Sequence, residues 1–97
     1  MRIYLDDSRP TPEGWVRCYW PEEVIELLKA YGDEVVEVSL DHDLGDDGHG
    51  TGYDVLLWIE EQVVLHGYNP PKLHVHSDNA SAVQRMRLAI QNIERRS

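Results

Sequence analysis

The pattern of apolar and polar residues divides the chain into short strands and longer helices. Runs rich in β-branched and aromatic residues predict strands over residues 2–5, 15–20, 35–40 and 72–76. Apolar positions three and four residues apart predict helices over residues 21–31, about 52–66 and 80–95. The order β-β-α-β-α-β-α indicates an α/β protein with parallel pairing and right-handed crossovers. Only strands one and two are joined by a loop alone.

The segment Ser39-Leu40-Asp41-His42-Asp43-Leu44-Gly45 carries the most conspicuous chemistry. The strand before it ends at this segment, and ligands of open α/β sheets bind outside the carboxyl ends of the strands. If all strands are parallel, two other strand ends reach the same edge. The polar residues predicted there are Asp6, Asp7, Asp41, His42, Asp43, His76, Ser77 and Asn79.

Carboxylates that converge in one cleft repel one another unless a proton or a cation compensates. The sequence therefore predicts a divalent cation held by Asp6, Asp7, Asp41 and Asp43. Oxygen ligands favour Mg²⁺ or Mn²⁺, whereas Zn²⁺ would prefer the imidazoles and is the weaker expectation.

Two histidines and three further polar residues complete the predicted site. His42 and His76 titrate near neutral pH and are the candidate catalytic acid and base. Arg9 is placed to hold a phosphate bidentately, and Ser77 and Asn79 offer it further donors.

Structural interpretations of these residues remain open from the sequence. Asp6 and Asp7 could cap a loop, because aspartate favours turns. The segment 77–79 could serve only as the N-cap of the last helix. His42 could be a structural histidine that needs one hydrogen-bond partner.

Composition limits the classes of function. The 97 residues predict a single domain over residues 1–97. A net charge of −9 argues against binding to duplex DNA or an anionic membrane surface, but it allows a basic protein partner. No apolar run approaches 18 residues, no secretory signal is recognised, and a single cysteine excludes an internal disulfide, so a cytoplasmic location is expected.

The segments Leu5-Asp6-Asp7-Ser8-Arg9-Pro10, residues 39–45, Thr51-Gly52-Tyr53-Asp54 and Val75-His76-Ser77 resemble the cyclic-phosphate processing receiver domain. That family is an offshoot of the response-regulator receivers. The resemblance implies a truncated three-layer receiver-like (flavodoxin-like) fold with about four mostly parallel strands and three helices. In receivers, the matching acidic residues hold Mg²⁺ and accept a phosphoryl group. This chain departs from receivers because a proline loop replaces the first helix and the fifth strand with its lysine is missing.

The resemblance and the residues together predict a metal-assisted phosphoesterase or binder of cyclic phosphates. Its ligands would be cyclic nucleotides or RNA ends with a 2′,3′-cyclic phosphate. The alternative is a non-catalytic acidic module, such as a phage-type inhibitor or nucleic-acid mimic, that binds a basic protein. A third hypothesis is a phosphoacceptor receiver labelled at Asp41. An exposed sheet edge would also allow a homodimer.

Overall fold

The computed structural model describes residues 1–44, 48 and 50–97 of the chain. The strands and helices within these residues are β1 (Arg2–Leu5), β2 (Trp15–Cys18), α1 (Pro21–Tyr31), β3 (Glu37–Leu40), α2 (Gly52–His66), β4 (Lys72–Val75) and α3 (Ala80–Arg96). One 3-10 turn, Gly32–Glu34, separates α1 from β3. The predicted order is confirmed, while Gly45 of the predicted central segment lies outside the described residues.

The second strand ends two residues earlier than predicted, and the reason is a helix cap. The backbone N–H groups of Tyr19 and Trp20 both donate to the Glu23 carboxylate, each at 3.0 Å. These two residues therefore lead into α1 and do not extend β2, because their donors already have a partner. Pro21 then occupies the first turn of the helix, where its missing N–H costs nothing.

The four described strands form one parallel sheet in the order β2-β1-β3-β4. Leu5 pairs with Cys18 on one side and with Leu40 on the other, and Leu40 pairs with Val75. The strands therefore end level with one another. This register brings the segments that follow β1, β3 and β4 to a common edge, as the sequence predicted.

All three helices pack on one face of the sheet. The apolar core joins buried residues of every helix to alternate strand residues, namely Ile3, Leu5, Cys18, Val38, Leu40 and Leu73. The receiver-like arrangement of four parallel strands and three helices is confirmed, but the described residues place helices on one side only. The three layers expected of that fold are thus two here, because residues 6–14 join β1 to β2 without a helix.

The opposite face of the sheet carries polar and aromatic side chains. Glu37 lies between two partners, at 2.8 Å from Arg2 Nε and 2.8 Å from His74 Nε2. Tyr4 meets the Trp15 ring edge-on, with 6.1 Å between ring centroids. These contacts give partners to the polar and aromatic side chains on the face of the sheet that no described helix covers.

The single cysteine lies in the core. Cys18 is buried in the core, and burial raises the pKa of its thiol to about 12, so a packing role follows. Within the described residues, no helix combines the length and the apolar character needed to span a bilayer.

Candidate functional site

Asp6 organises the loop that follows β1. Its Oδ1 accepts the backbone N–H groups of Ser8 at 2.8 Å and Arg9 at 2.9 Å, as in the turns that aspartate favours. Arg17 of β2 fastens the same loop, since it donates to the Asp6 carbonyl at 2.9 Å and to Thr11 Oγ1 at 2.6 Å. The loop can therefore return to the start of the sheet without a helix.

The Asp6 carboxylate is completely buried and also engaged through its second oxygen. Oδ2 lies 3.0 Å from Arg9 Nη1 and 3.1 Å from His76 Nε2. Burial alone would raise the pKa of Asp6, but the two backbone donors, the Arg9 guanidinium and His76 together lower it to about 2. Asp6 is thus an ionised carboxylate whose two oxygens both have hydrogen-bond donors.

His76 is held between Asp6, Ser39 and the Tyr4 ring. Its Nδ1 lies 2.7 Å from Ser39 Oγ, and its ring stacks on Tyr4 with 4.2 Å between centroids and 2° between planes. Because Asp6 is ionised, His76 Nε2 must donate to it, so the neutral ring accepts the Ser39 hydroxyl at Nδ1. Burial lowers the pKa of His76, although the nearby Asp6 and Asp41 charges oppose that shift. Both ring nitrogens of His76 are engaged, so the ring helps to hold the Asp6 carboxylate in position.

Asp41 follows β3 and is buried with far fewer donors. Its Oδ1 accepts the His42 backbone N–H at 2.8 Å, and its Oδ2 lies 3.6 Å from Arg9 Nη1. Burial raises the pKa of Asp41, and the negative charge of Asp6 adds to that effect. Within the residues that the structure describes, Asp41 thus has lone pairs without a donor and a charge that burial disfavours, which a cation would relieve.

The segment Thr51-Gly52-Tyr53-Asp54 supports Asp41 through structure and not through chemistry. Thr51 Oγ1 accepts the Tyr53 N–H at 3.2 Å, and Asp54 Oδ2 accepts the Thr51 N–H at 2.8 Å, which forms a capping box. A β-carbon at Gly52 would overlap the carbonyl oxygen of Asp41. Glycine at this position thus lets α2 begin against the backbone of Asp41.

Three of the four predicted metal ligands lie together. One carboxylate oxygen from each of Asp6, Asp7 and Asp41 can be chosen so that all lie within 4.8 Å of one another. Asp7 is exposed and makes no hydrogen bond within the described part of the chain. A divalent cation therefore fits the free oxygens of Asp7 and Asp41 best, whereas Asp6 would have to exchange one of its present donors.

The fourth predicted ligand, Asp43, lies beside His42 at the rim. Its Oδ1 is 2.8 Å from His42 Nδ1, and its side chain is 61% exposed. Within the described residues, Asp43 is not part of the three-carboxylate group. The contact orients the His42 imidazole through Nδ1, and its Nε2 has no hydrogen-bond partner among the described residues.

Arg9 is placed among the carboxylates. Its Nη1 reaches Asp6 and also donates to the His76 carbonyl at 3.2 Å, while its Nη2 lies 2.8 Å from Asp78 Oδ2. The contact with Asp6 raises the pKa of Arg9, so the guanidinium remains charged. A pocket of about 240 Å³ opens here, lined by Ser8, Arg9, Asp41, Asp43, Ser77 and Asp78.

The segment that follows β4 caps the last helix. Asn79 Oδ1 accepts the Ala82 N–H at 3.1 Å, and Ser77 Oγ accepts the Asn79 N–H at 3.2 Å. The capping interpretation of this segment is therefore confirmed for Asn79. Its amide nitrogen lies 3.5 Å from Asp43 Oδ2, which is a weak contact with a residue that lines the pocket. Ser77 lines the pocket directly.

Sequence reasoning did not single out Ser39, Asp78 or Gly52 for the site. Ser39 reaches His76 across a strand pair, and no local pattern signals that contact. The sequence places Asp78 only within the possible N-cap over residues 77–79. The one available signal was at Gly52, because a glycine in the first turn of a helix often marks a close approach of another backbone.

The fold and the acidic edge define a receiver-like α/β domain with the site at the carboxyl ends of its strands. The family model for the cyclic-phosphate processing receiver domain matches residues 1–92. The chain belongs to that family, and the resemblance found in its motifs is confirmed. No curated protein and no solved structure gives a significant match.

Proposed function

We propose that the protein binds a cyclic phosphodiester in this pocket and opens the ring by metal-assisted hydrolysis. The observation that carries the proposal is the group Asp6, Asp7 and Asp41, with ligand oxygens within 4.8 Å, beside the Arg9 guanidinium. Carboxylates suit a hard cation, and a guanidinium suits a phosphate. The family name, cyclic-phosphate processing receiver, agrees with such a ligand.

Asp7 and Asp41 would hold a Mg²⁺ or Mn²⁺ ion, and Asp6 keeps the loop and Arg9 in place behind them. A bound divalent cation supplies charge to polarise a phosphoryl oxygen and to stabilise the transition state. Burial and the neighbouring Asp6 already disfavour the charge of Asp41, so this carboxylate gains most from a cation.

Hydrolysis needs a proton acceptor and a proton donor. His42, whose ring is oriented by Asp43, accepts a proton from the attacking water at Nε2. The water oxygen forms a bond to phosphorus, one ring P–O bond breaks, and the released oxygen takes a proton from solvent at the open pocket. The product is an acyclic phosphomonoester.

His76 has a different part in this proposal from the one the sequence suggested. As the acid for the leaving oxygen, it would have to withdraw its Nε2 proton from Asp6 and its Nδ1 from Ser39. We therefore propose that His76 positions Asp6, and that proton transfer belongs to His42.

The test is a turnover assay with 2′,3′-cyclic and 3′,5′-cyclic nucleotides, each with Mg²⁺, Mn²⁺ or a chelator. We expect metal-dependent ring opening that is lost in Asp41→Asn and reduced by roughly two to four orders of magnitude in His42→Gln. The matched control is His66→Gln, which changes an exposed histidine near the end of α2 and should keep wild-type turnover.

Absence of turnover with every metal, in protein shown to be folded, would contradict the proposal. The second candidate would then gain weight: an acidic module that binds a basic protein, which the net charge of −9 favours. Its signature would be association that weakens with salt and is unaffected by His42→Gln.

A further inference from the structure

The outer edge of Arg9 is shared with a carboxylate that the proposed chemistry does not use. We propose that Asp78 is a specificity-determining residue, which restricts the phosphate subsite to singly charged phosphodiesters and disfavours doubly charged phosphomonoesters. This inference rests on the proposed function, because it assumes that the ligand's phosphate contacts Arg9.

The geometry at Arg9 leaves one side of the guanidinium for an anion. Nη1 is directed inward, to Asp6 Oδ2 and the His76 carbonyl, while Nη2 faces outward to Asp78 Oδ2 at 2.8 Å. A phosphate that enters the pocket must share this outward edge with the Asp78 carboxylate. Asp78 is therefore a neighbour of the bound anion as well as a competitor for its donor.

The charges that line the pocket set a limit on the ligand. Among the described lining residues, Asp41, Asp43 and Asp78 are acidic and Arg9 is basic. Asp6 and Asp7 add two further carboxylates beside the pocket, so a divalent cation bound at Asp7 and Asp41 would leave no excess positive charge to balance a second negative charge on the ligand. A phosphodiester carries one negative charge, whereas a phosphomonoester carries about −1.5 to −2 near pH 7. The same repulsion would help the ring-opened product to leave.

Asp78 can be changed without disturbing the fold. Its side chain is 98% exposed, and Arg9 is its ion-pair partner within the described residues. Asp33 provides a matched control, because it is an exposed aspartate in the 3-10 turn that precedes β3, at the opposite end of the strands from the site. Asp33→Asn and Asp78→Asn thus change the net charge equally.

The experiment compares two ligands that differ by one charge and have no ring to open. The first is a nucleoside 3′-monophosphate, and the second is its 3′-methyl phosphodiester. Dissociation constants are measured by calorimetry at pH 8 with Mg²⁺ and at one ionic strength. We expect the wild type to prefer the diester, and Asp78→Asn to reduce this preference by roughly two- to five-fold, as suits an exposed charge pair. Asp33→Asn should leave the preference unchanged.

If Asp78→Asn prefers the diester over the monoester as strongly as Asp33→Asn does, the inference is overturned, while the proposed function still stands. A wild type that prefers the monoester would overturn it as well. If neither ligand binds to the wild type or to Asp78→Asn, the phosphate subsite at Arg9 does not exist, and the proposed function fails together with the inference.

Discussion

Asp6 and Asp41 occupy equivalent places on neighbouring strands but have opposite properties. Each follows a leucine at the end of its strand, and those leucines, Leu5 and Leu40, are register partners. Both carboxylates are buried. Yet the pKa of Asp6 is lowered to about 2, whereas the pKa of Asp41 is raised above its usual value.

Burial raises the pKa of both carboxyl groups, but at Asp6 the hydrogen-bond donors outweigh it. Among the described residues, Asp6 accepts from the N–H groups of Ser8 and Arg9, from the Arg9 guanidinium and from His76, whereas Asp41 accepts from one backbone N–H. A buried carboxylate with all its lone pairs satisfied stabilises the fold, while one with free lone pairs is available to a ligand. One residue type thus serves structure at the first position and chemistry at the second.

The largest predicted effect is a difference in the free energy of unfolding between Asp6→Asn and Asp41→Asn. Asp6→Asn removes the buried negative charge beside Arg9 and His76 and replaces one accepting oxygen by an amide group that donates, so we expect a loss of about 3 to 5 kcal/mol in the free energy of unfolding. Asp41→Asn removes a charge that burial already disfavours, and it should change stability by less than about 1 kcal/mol. Urea unfolding at pH 7 measures both, and equal losses would contradict the comparison.

Gly52→Ala should disturb Asp41 and spare Asp6. The added methyl group would overlap the Asp41 carbonyl oxygen, and we expect a loss of about 3 kcal/mol, the upper end for overpacking. Gly67→Ala is the control: its φ of 65° strains alanine, but no atom lies within 4 Å of the new carbon, so a loss of about 1 kcal/mol is expected. Thermal or urea unfolding compares the variants, and a loss no larger than that of the control would refute the close approach.

A fall in pH should change the contributions of Asp6 and Asp41 to the free energy of unfolding in opposite directions. The pKa of Asp6 is about 2 in the fold against 3.8 when unperturbed, so its stabilisation is complete above pH 3.8 and is lost as the pH falls through about 2. That difference corresponds to about 2 kcal/mol. The raised pKa of Asp41 has the reverse sign, because protonation relieves its burial.

Measured from pH 5 to pH 2, the free energy of unfolding should therefore fall less steeply in Asp6→Asn than in the wild type. It should fall more steeply in Asp41→Asn, which lacks the relief that protonation of Asp41 provides. Parallel profiles for the three proteins would mean that neither carboxylate has a shifted pKa.

The sequence predicted most of the fold because the relevant signals are local. Alternation and helical periodicity located the elements, and parallel strand ends explained why Asp6 and Asp41 meet at one edge. The third layer is missing because all three described helices cover the same face of the sheet. The right-handed crossovers determine which face a helix covers. In a receiver, the crossover between β1 and β2 would place a helix on the other face, but here a loop over residues 6–14 replaces it.

The roles within the site were less predictable from the sequence. His76 loses its freedom through Ser39 and Asp6, contacts that join residues 37 and 70 positions apart. The turn at Asp6 is open to prediction from the sequence, because aspartate followed by serine two residues later favours a turn in which the aspartate caps the loop. The donors to Asp6 come from two separate segments, residues 8–9 and His76, and only the folded structure shows the contact with His76.

The most direct test of this account is a carbon-13 NMR titration of the side-chain carboxyl groups of Asp6 and Asp41 in the folded protein, assigned with Asp6→Asn and Asp41→Asn. The account predicts that Asp6 titrates near pH 2 and Asp41 above pH 3.8. Matching titrations, or a pKa for Asp6 above that of Asp41, would contradict the division between a structural and a reactive carboxylate.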